Sequence, residues 1–187
     1  MRSIHVKMKK KRGFIIMAKE KINVFDYAEK INKQIAPGIL LNTNCEKFNS
    51  MVIGWGHLGV IWGLETFTVY VRDSRFTKKQ LDKTGRFTLS MPLDGSYDPE
   101  VFRVFGTMSG YDMDKSEYIT QVPANVNFVP GIKEYPLTIE CEVIYKQRQD
   151  PEAIDKQILR KYYSAEETKD DHHTMYIGKI VDAYIIR

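Results

Sequence analysis

The chain has 187 residues, of which 43% are hydrophobic, 12% aromatic and 28% charged. This composition is typical of a globular protein and excludes a disordered or low-complexity chain, and the length is sufficient to bury a hydrophobic core. The formal charge is +4, but six basic and no acidic residues lie in residues 1–16, so residues 17–187 hold 22 basic and 24 acidic side chains. The overall charge therefore gives no reason to expect a nucleic-acid partner.

Only three apolar residues follow the basic run of residues 1–16, which is too few for the apolar region of a secretory signal. No apolar run approaches the length of a membrane span. The two cysteines, Cys45 and Cys141, lack the paired spacing of a metal or redox motif. We therefore expect a cytoplasmic protein with no membrane partner, made of a disordered extension over residues 1–16 and one domain over residues 17–187.

The elements predicted along the chain are mostly β-strands. Apolar residues at helical spacing predict a helix from Val24 to Ile35, which ends at the pair Pro37-Gly38. Alternating patterns then predict strands over 39–43, 48–55, 66–72, 86–91, 137–147 and 175–186, with 59–63 as a link before the third strand. Helices are predicted over 74–85, from Pro99 and over 151–163. This order predicts a mainly β fold with antiparallel strands and peripheral α-helices.

The stretch from Thr66 to Leu81 carries the clearest sign of a ligand. A strand rich in β-branched and aromatic residues runs directly into a helix whose predicted N-cap is Ser74. Arg72 and Arg75 flank this helix end, and Thr77 adds a second hydroxyl beside the free backbone N–H groups. Such a group of donors suits a phosphate of about two negative charges. The alternative is a capped surface helix with two solvated arginines.

Five motifs occur in the order found in a known family. They span residues 34–186 and read FNSMVIGWGHLG, TFTVYVRDSRFTKK, FGTMSGYDMDK, LTIECEVIY and DDHHTMYIGKIVDAY. With them the chain resembles the FMN-binding split-barrel flavin reductases, a family that includes flavoredoxin. The resemblance implies an antiparallel split β-barrel of Greek-key type, with FMN as cofactor and NADH or NADPH as co-substrate.

The resemblance also implies a flavin site. The family strand and turn whose backbone runs along the isoalloxazine ring correspond to Asn49, Ser50, Met51, Val52, Ile53, Gly54 and Trp55. Gly54 and Gly56 would let the backbone approach the ring closely, and a bulge or bend of the strand is the alternative reason for them. The family's phosphate-binding turn corresponds to Arg72, Ser74, Arg75 and Thr77.

The chain departs from the family pattern at two positions. Glu65 stands where the family usually has proline, so the entry to that strand is expected to differ. Tyr111 stands where arginine is common, so a polar role at that position is not expected.

His172 and His173 lie beside two aspartates, but no third metal ligand has a suitable spacing, so no metal site is predicted. In the family a histidine just before the last strand lies near the flavin, and His173 is the better match. It would orient the nicotinamide or help to transfer a proton, and a solvated surface histidine is the alternative. Cys141 shares a strand face with Leu137 and Ile139, so it is predicted to be a core residue and not a nucleophile.

Three functions remain open at this point. The first is an oxidoreductase that reduces flavin by hydride transfer from NAD(P)H, with the reduced flavin serving a partner oxygenase or redox protein. The second is a non-catalytic FMN electron carrier of flavoredoxin type. The third is a split-barrel protein that binds another phosphorylated ligand. The fold alone does not decide among them, because the redox chemistry belongs to the cofactor.

A homodimer is also predicted. Four aromatic residues appear exposed from the sequence pattern, namely Trp55, Trp62, Phe67 and Tyr70. The family forms homodimers with the flavin near the interface, so the resemblance implies a symmetric dimer here.

Overall fold

The computed structural model describes residues 17–187, so the predicted basic extension over residues 1–16 lies outside the described residues. Within this range the strands are β1 (Lys19–Lys21), β2 (Ile39–Asn44), β3 (Phe48–Ile53), β4 (Gly56–Ile61), β5 (Leu64–Arg72), β6 (Arg86–Met91), β7 (Gln121–Val122), β8 (Gly131–Ile132), β9 (Leu137–Arg148) and β10 (His173–Ile186). The α-helices are α1 (Ala28–Ile35), α2 (Phe76–Thr84), α3 (Pro99–Thr107) and α4 (Lys156–Tyr163). None of these helices is long and apolar enough to cross a membrane.

Eight strands form one antiparallel sheet in the order β3-β2-β6-β9-β10-β5-β4, with β1 paired to β10, and β7 and β8 form a separate pair. The strands β5, β6, β9 and β10 follow a Greek-key order, because the chain crosses from β5 to β6 and later returns to place β10 beside β5. Two register shifts between β9 and β10 mark bulges, with Ile144 as the extra residue of β9 and Val181 as the extra residue of β10. The prediction of a mainly antiparallel β fold with peripheral helices is confirmed.

The two faces of the sheet are buried in different clusters. Leu41 of β2, Phe67 of β5 and Ile139 of β9 are fully buried in the main core, so strands from distant parts of the sheet pack against one another. Leu40 points to the opposite face, because neighbouring strand residues alternate, and it packs with Phe105 of α3. Phe67 is therefore a core residue, and its predicted exposure is wrong.

Gly178 of β10 provides space for this core. A Cβ atom at this position would lie 2.6 Å from the ring of Phe87 and 2.8 Å from the Cβ of Cys141. Close packing of this kind leaves no room for a side chain. Cys141 itself is fully buried, and burial raises the pKa of its thiol well above the ordinary value, which fits the predicted core role.

Besides the helix predicted from Val24, whose residues Val24–Tyr27 form a 3₁₀ turn before α1, two predicted elements differ from the structure. Residues 59–63, predicted to be a link, form the end of β4 and a tight turn in which Trp62 has φ 53° and Gly63 has φ 71°. The predicted helix over 151–163 is divided into a 3₁₀ turn at Pro151–Ala153 and α4, whose N-cap is Asp155. In both cases turn and capping residues set the local structure, and the apolar spacing on which the prediction was based does not show them.

The prediction that Ser74 is the N-cap of α2 is wrong. Arg75 occupies the N-cap position and makes no side-chain cap hydrogen bond. The backbone N–H of Ser74 donates to Asp171 Oδ1 at 2.9 Å, and the Ser74 hydroxyl donates to Asp171 Oδ2 at 2.8 Å. The side chain is therefore held by a distant carboxylate. The predicted end of α2 is confirmed, since Gly85 is a left-handed C-cap with φ 61°.

Candidate functional site

Two adjoining cavities lie along β3 and the beginning of α2. The larger, of ≈ 210 Å³, is lined by Met51, Val52, Ile53, Gly54, Trp55, Tyr70, Arg72, Arg75 and His173. The smaller, of ≈ 70 Å³, is lined by Asn49, Met51, Val52, Arg75, Phe76, Thr77, Phe105, Gly106, Met108, Ser109, Gly110 and Lys115. Met51, Val52 and Arg75 line both cavities, so the two lie side by side along β3, and we call them together the β3 groove.

Ten of the twelve residues predicted for the flavin site line the β3 groove, and Ser50 and Ser74 do not. The Ser50 hydroxyl is buried and has no hydrogen-bond partner among the described residues. Ser74 is bound to Asp171, as described above. The stretch predicted as one phosphate cradle is thus divided, with Arg72 at the larger cavity and Thr77 at the smaller one.

Lys115 is the cationic group that the sequence analysis did not identify. Its side chain is buried, its Nζ donates to the Ser50 carbonyl at 2.8 Å, and it lies 5.5 Å from the centre of the Phe105 ring. Burial, together with the nearby charges of Arg75 and Lys47, lowers the pKa of Lys115 to about 8. Within residues 17–187 no acidic residue lines either cavity, so these cations favour an anionic ligand.

The other polar groups of the smaller cavity are also ordered. Thr77 is buried, and its hydroxyl oxygen accepts a hydrogen bond from Asn49 Nδ2 at 2.8 Å. Asn49 Oδ1 is buried and lacks a partner in the described part of the chain, so it is a free acceptor. The first turn of α2 adds Phe76 and Thr77, whose backbone N–H groups lie at the unpaired end of a helix. The smaller cavity therefore combines two cations, a hydroxyl and a helix N-terminus.

His173 forms one wall of the larger cavity at the start of β10. Its ring packs against Trp55 with 4.4 Å between centroids and a tilt of 37° between the ring planes, and its Nδ1 lies 2.8 Å from the Tyr163 hydroxyl. Burial, and next the charge of Arg72, lowers the pKa of His173 to about 4, so the imidazole is neutral at neutral pH. A neutral histidine can both donate and accept hydrogen bonds in this cavity.

Arg72 is held by the segment between β9 and β10. Its Nη1 donates to the Asp171 carbonyl at 2.7 Å and its Nη2 to the Tyr162 carbonyl at 3.1 Å. The guanidinium carbon lies 5.2 Å from the centre of the Tyr163 ring. This arginine therefore fixes the wall of the larger cavity and brings positive charge to it.

Two other sequence hypotheses are clarified by the packing. A Cβ atom on Gly56 would lie 2.7 Å from the Thr68 carbonyl oxygen, so this glycine is required by the close pairing of β4 and β5. His172 stacks on Tyr163 with 4.9 Å between ring centroids. In the described part of the chain, no three His, Cys, Asp or Glu side chains are grouped so that they could hold a metal.

The fold and the groove together define an antiparallel split β-barrel with a cationic ligand site. The profile of the family described as flavin reductase like domain matches residues 63–187. Because this match covers more than half of the chain, the protein belongs to the flavin reductase like domain family. None of the curated proteins compared with the sequence matches it significantly.

Solved structures share this fold. Flavoredoxin from Methanosarcina acetivorans is 20% identical with a TM-score of 0.60, over 98% of this chain and 76% of that one. An FMN-binding domain of a flavin reductases-like enzyme from Shewanella baltica is 13% identical with a TM-score of 0.64, over 92% of this chain and 79% of that one. Nitrilotriacetate monooxygenase component B from Bacillus cereus is 15% identical with a TM-score of 0.59, over 89% and 81%. At these identities the likeness shows the fold.

Proposed function

We propose that this protein binds FMN in the β3 groove and catalyses the NAD(P)H-dependent reduction of flavin. The observation that carries the proposal is a pair of adjoining cavities with unlike linings, which together make up the two ends of the β3 groove. The small end has Arg75 and Lys115 without a lining carboxylate, and the large end has Trp55 and His173 beside a strand backbone. A ligand with a phosphate at one end and a planar ring at the other matches this arrangement, and membership of the family supports FMN.

The residues present fit the phosphate end of FMN. Arg75 and Lys115 supply charge, Thr77 supplies a hydroxyl, and the first turn of α2 supplies backbone donors. The unpaired Asn49 Oδ1 suits a hydroxyl donor such as those of the ribityl chain.

The ring end is formed by the backbone from Met51 to Trp55, with Arg72 and His173 opposite. When bound, FMN supplies a ring that accepts a hydride from NADH or NADPH and passes electrons on. The protein's own contribution is to hold a neutral His173 at the ring, to place the positive charge of Arg72 nearby, and to shield this end of the groove with Trp55.

Partners are part of the proposal. The reduced flavin would serve an oxygenase or another redox protein, and this is supported by the structural neighbour from Bacillus cereus, whose description is that of a monooxygenase component. Self-association into a homodimer with the flavin near the interface is supported by β4. Among the described strands β4 pairs only with β5, and Val60 and Trp62 beside it are exposed.

A second candidate is a non-catalytic FMN electron carrier. It is favoured by the likeness to flavoredoxin, which extends over 98% of the chain. In that case the same groove would hold FMN permanently, and a protein partner would take the place of NAD(P)H.

Colour and bleaching distinguish these functions. Purified protein that is yellow, or that takes up FMN from solution, supports both candidates, and colourless protein that does not bind FMN contradicts both and favours another phosphorylated ligand. Under nitrogen, bleaching of the bound flavin by NADH or NADPH at a rate that supports turnover is expected for the reductase. Bound flavin that dithionite bleaches and NAD(P)H does not would identify the carrier.

A further inference from the structure

The hydroxyl of Tyr163 joins His173 to the segment between β9 and β10. Tyr163 is the last residue of α4 and is buried. Its hydroxyl donates to Gln149 Oε1 at 3.0 Å and lies 2.8 Å from His173 Nδ1. The same ring packs against His172 and lies under the guanidinium of Arg72. This tyrosine is therefore fixed on several sides before it meets His173.

The direction of the second hydrogen bond follows from proton counting. A phenol has one proton, and both contacts of the Tyr163 hydroxyl can be hydrogen bonds at once only if that proton goes to Gln149 Oε1, which can only accept. The hydroxyl oxygen can then only accept from His173, so Nδ1 of the imidazole must carry its proton. In a neutral imidazole the other nitrogen, Nε2, is then an acceptor.

We propose that Tyr163 is a positioning residue that holds neutral His173 with its proton on Nδ1 and so presents Nε2 to the larger cavity as a hydrogen-bond acceptor. This inference rests on the proposed function, because Nε2 would face the flavin ring or the nicotinamide. Trp55 supports the arrangement, since its close packing against His173 opposes rotation of the imidazole.

The charges around His173 favour the neutral form that this arrangement needs. Arg72 on β5 and Arg75 at the start of α2 oppose protonation, and Asp73 and Asp171 partly offset them. Burial of the ring is the largest of the effects that lower the pKa of His173, and it favours the neutral imidazole in the same direction as the two arginines. His173 thus stays neutral over the working pH range, and the position of its single ring proton is what Tyr163 controls.

The first test measures the tautomer in flavin-free protein by ¹H–¹⁵N correlation of the histidine rings. His173 is expected to carry its proton on Nδ1 in the wild type. In Tyr163→Phe the proton should move wholly or partly to Nε2, because the acceptor is lost while the ring packing is kept. Tyr162→Phe is the matched control: Tyr162 packs on Trp55 through its ring, and its hydroxyl makes no hydrogen bond within residues 17–187. It should behave as the wild type.

Two results would overturn the assignment, namely a wild-type His173 protonated on Nε2 or a Tyr163→Phe variant with an unchanged tautomer.

The second test measures flavin reduction by NADH. Tyr163→Phe should lower kcat about fivefold, which corresponds to one hydrogen bond of about 1 kcal/mol, with KM for NADH little changed. Equal rates in Tyr163→Phe and Tyr162→Phe would contradict a role in positioning. If the wild type does not reduce flavin, the proposed function fails, and the tautomer measurement alone then decides whether Tyr163 positions His173.

Discussion

Arg72 and Arg75 lie three residues apart but have different surroundings. Nη1 and Nη2 of Arg72 each donate to a backbone carbonyl, of Asp171 and of Tyr162 respectively. Arg75 lines both cavities and forms no ion pair in the part of the chain that the structure describes. We therefore expect Arg75 to contact the phosphate and Arg72 to support the wall at the ring.

Replacing Arg75 by alanine should weaken FMN binding by about one to two powers of ten, because a charged hydrogen bond contributes about 1.5–3 kcal/mol. Riboflavin, which lacks the phosphate, should lose much less. Affinities of both ligands measured by fluorescence titration test this. Arg72→Ala is the matched control and should weaken both ligands to a similar extent. A parallel loss of both ligands in Arg75→Ala would contradict the assignment.

Lys115 gives the groove a pH dependence. Its pKa is lowered to about 8 in the flavin-free protein, mainly by burial. An anion beside the ammonium group favours the charged form, so binding of FMN should raise this pKa. At a pH between the pKa of Lys115 in the flavin-free protein and its higher pKa in the FMN-bound protein, binding takes up a proton. The affinity for FMN should therefore fall as the pH rises above about 8. Titrations of FMN at several pH values measure this slope.

Lys115→Met serves as the control for the pH dependence, because it keeps the length of the side chain and removes the titrating group. Its FMN affinity should be lower than that of the wild type below pH 8 and nearly independent of pH above it. A wild-type affinity that does not change across this range would mean that Lys115 does not face the phosphate.

At the scale of elements, the segment between β9 and β10 supports the wall of the larger cavity. Its helix α4 and the residues that follow contact Trp55, Arg72 and His173 through ring and carbonyl contacts. Asp171 holds this segment against the turn before α2, because its carboxylate accepts two hydrogen bonds from Ser74. The wall of the larger cavity therefore depends on contacts outside the sheet.

Asp171→Ala should make the segment between β9 and β10 more mobile without unfolding the barrel. The two hydrogen bonds to Ser74 are lost while the Asp171 carbonyl still accepts from Arg72, so the expected cost is about 1 kcal/mol of stability. Hydrogen exchange should become faster at Ser74 and over residues 164–172. Asp170→Asn is the control, since it removes a neighbouring charge that forms no ion pair within residues 17–187. Faster exchange throughout the sheet in Asp171→Ala would show a global effect instead.

At the scale of the whole molecule, exposed apolar residues lie beside β4, at one end of the sheet. Val60 and Trp62 are 64% and 65% exposed, and Trp62 contacts the half-exposed ring of Tyr145. Trp55 and Tyr70, which were also expected to be exposed, are partly buried at the larger cavity, and Phe67 is in the core. The patch suited to self-association is therefore smaller than the sequence pattern predicts.

Light scattering should give about twice the 21.8 kDa of the chain at micromolar concentration if the proposed dimer forms. Trp62→Asn should weaken the dimer and keep the fold, because asparagine tolerates the left-handed backbone of this position. Phe128→Asn is a matched control, since Phe128 is also an exposed aromatic residue with positive φ but packs on Arg86. A monomeric wild type would contradict an interface at β4, and so would an equal weakening of the dimer in Trp62→Asn and Phe128→Asn.

Most of the long strands follow from local patterns. Alternation predicts β5, β6, β9 and β10 because one face of each strand meets the core. Turn chemistry predicts the end of α2 at Gly85 and the beginning of α3 at Pro99, since the capping groups are neighbours in the chain. The motif order, which also reflects neighbouring residues, identified the family that the profile match confirms.

What the sequence by itself determined was therefore the mainly β fold, the family, and the strand from Asn49 to Ile53 that runs along the groove. Only the tertiary structure decided which side chains line the groove and which partners hold them. It binds Ser74 to a carboxylate 97 residues away and brings Lys115 to a carbonyl 65 residues away. It also places Tyr163 on His173. These roles depend on burial and on partners that meet only in the folded chain, and no periodicity or local spacing records such contacts.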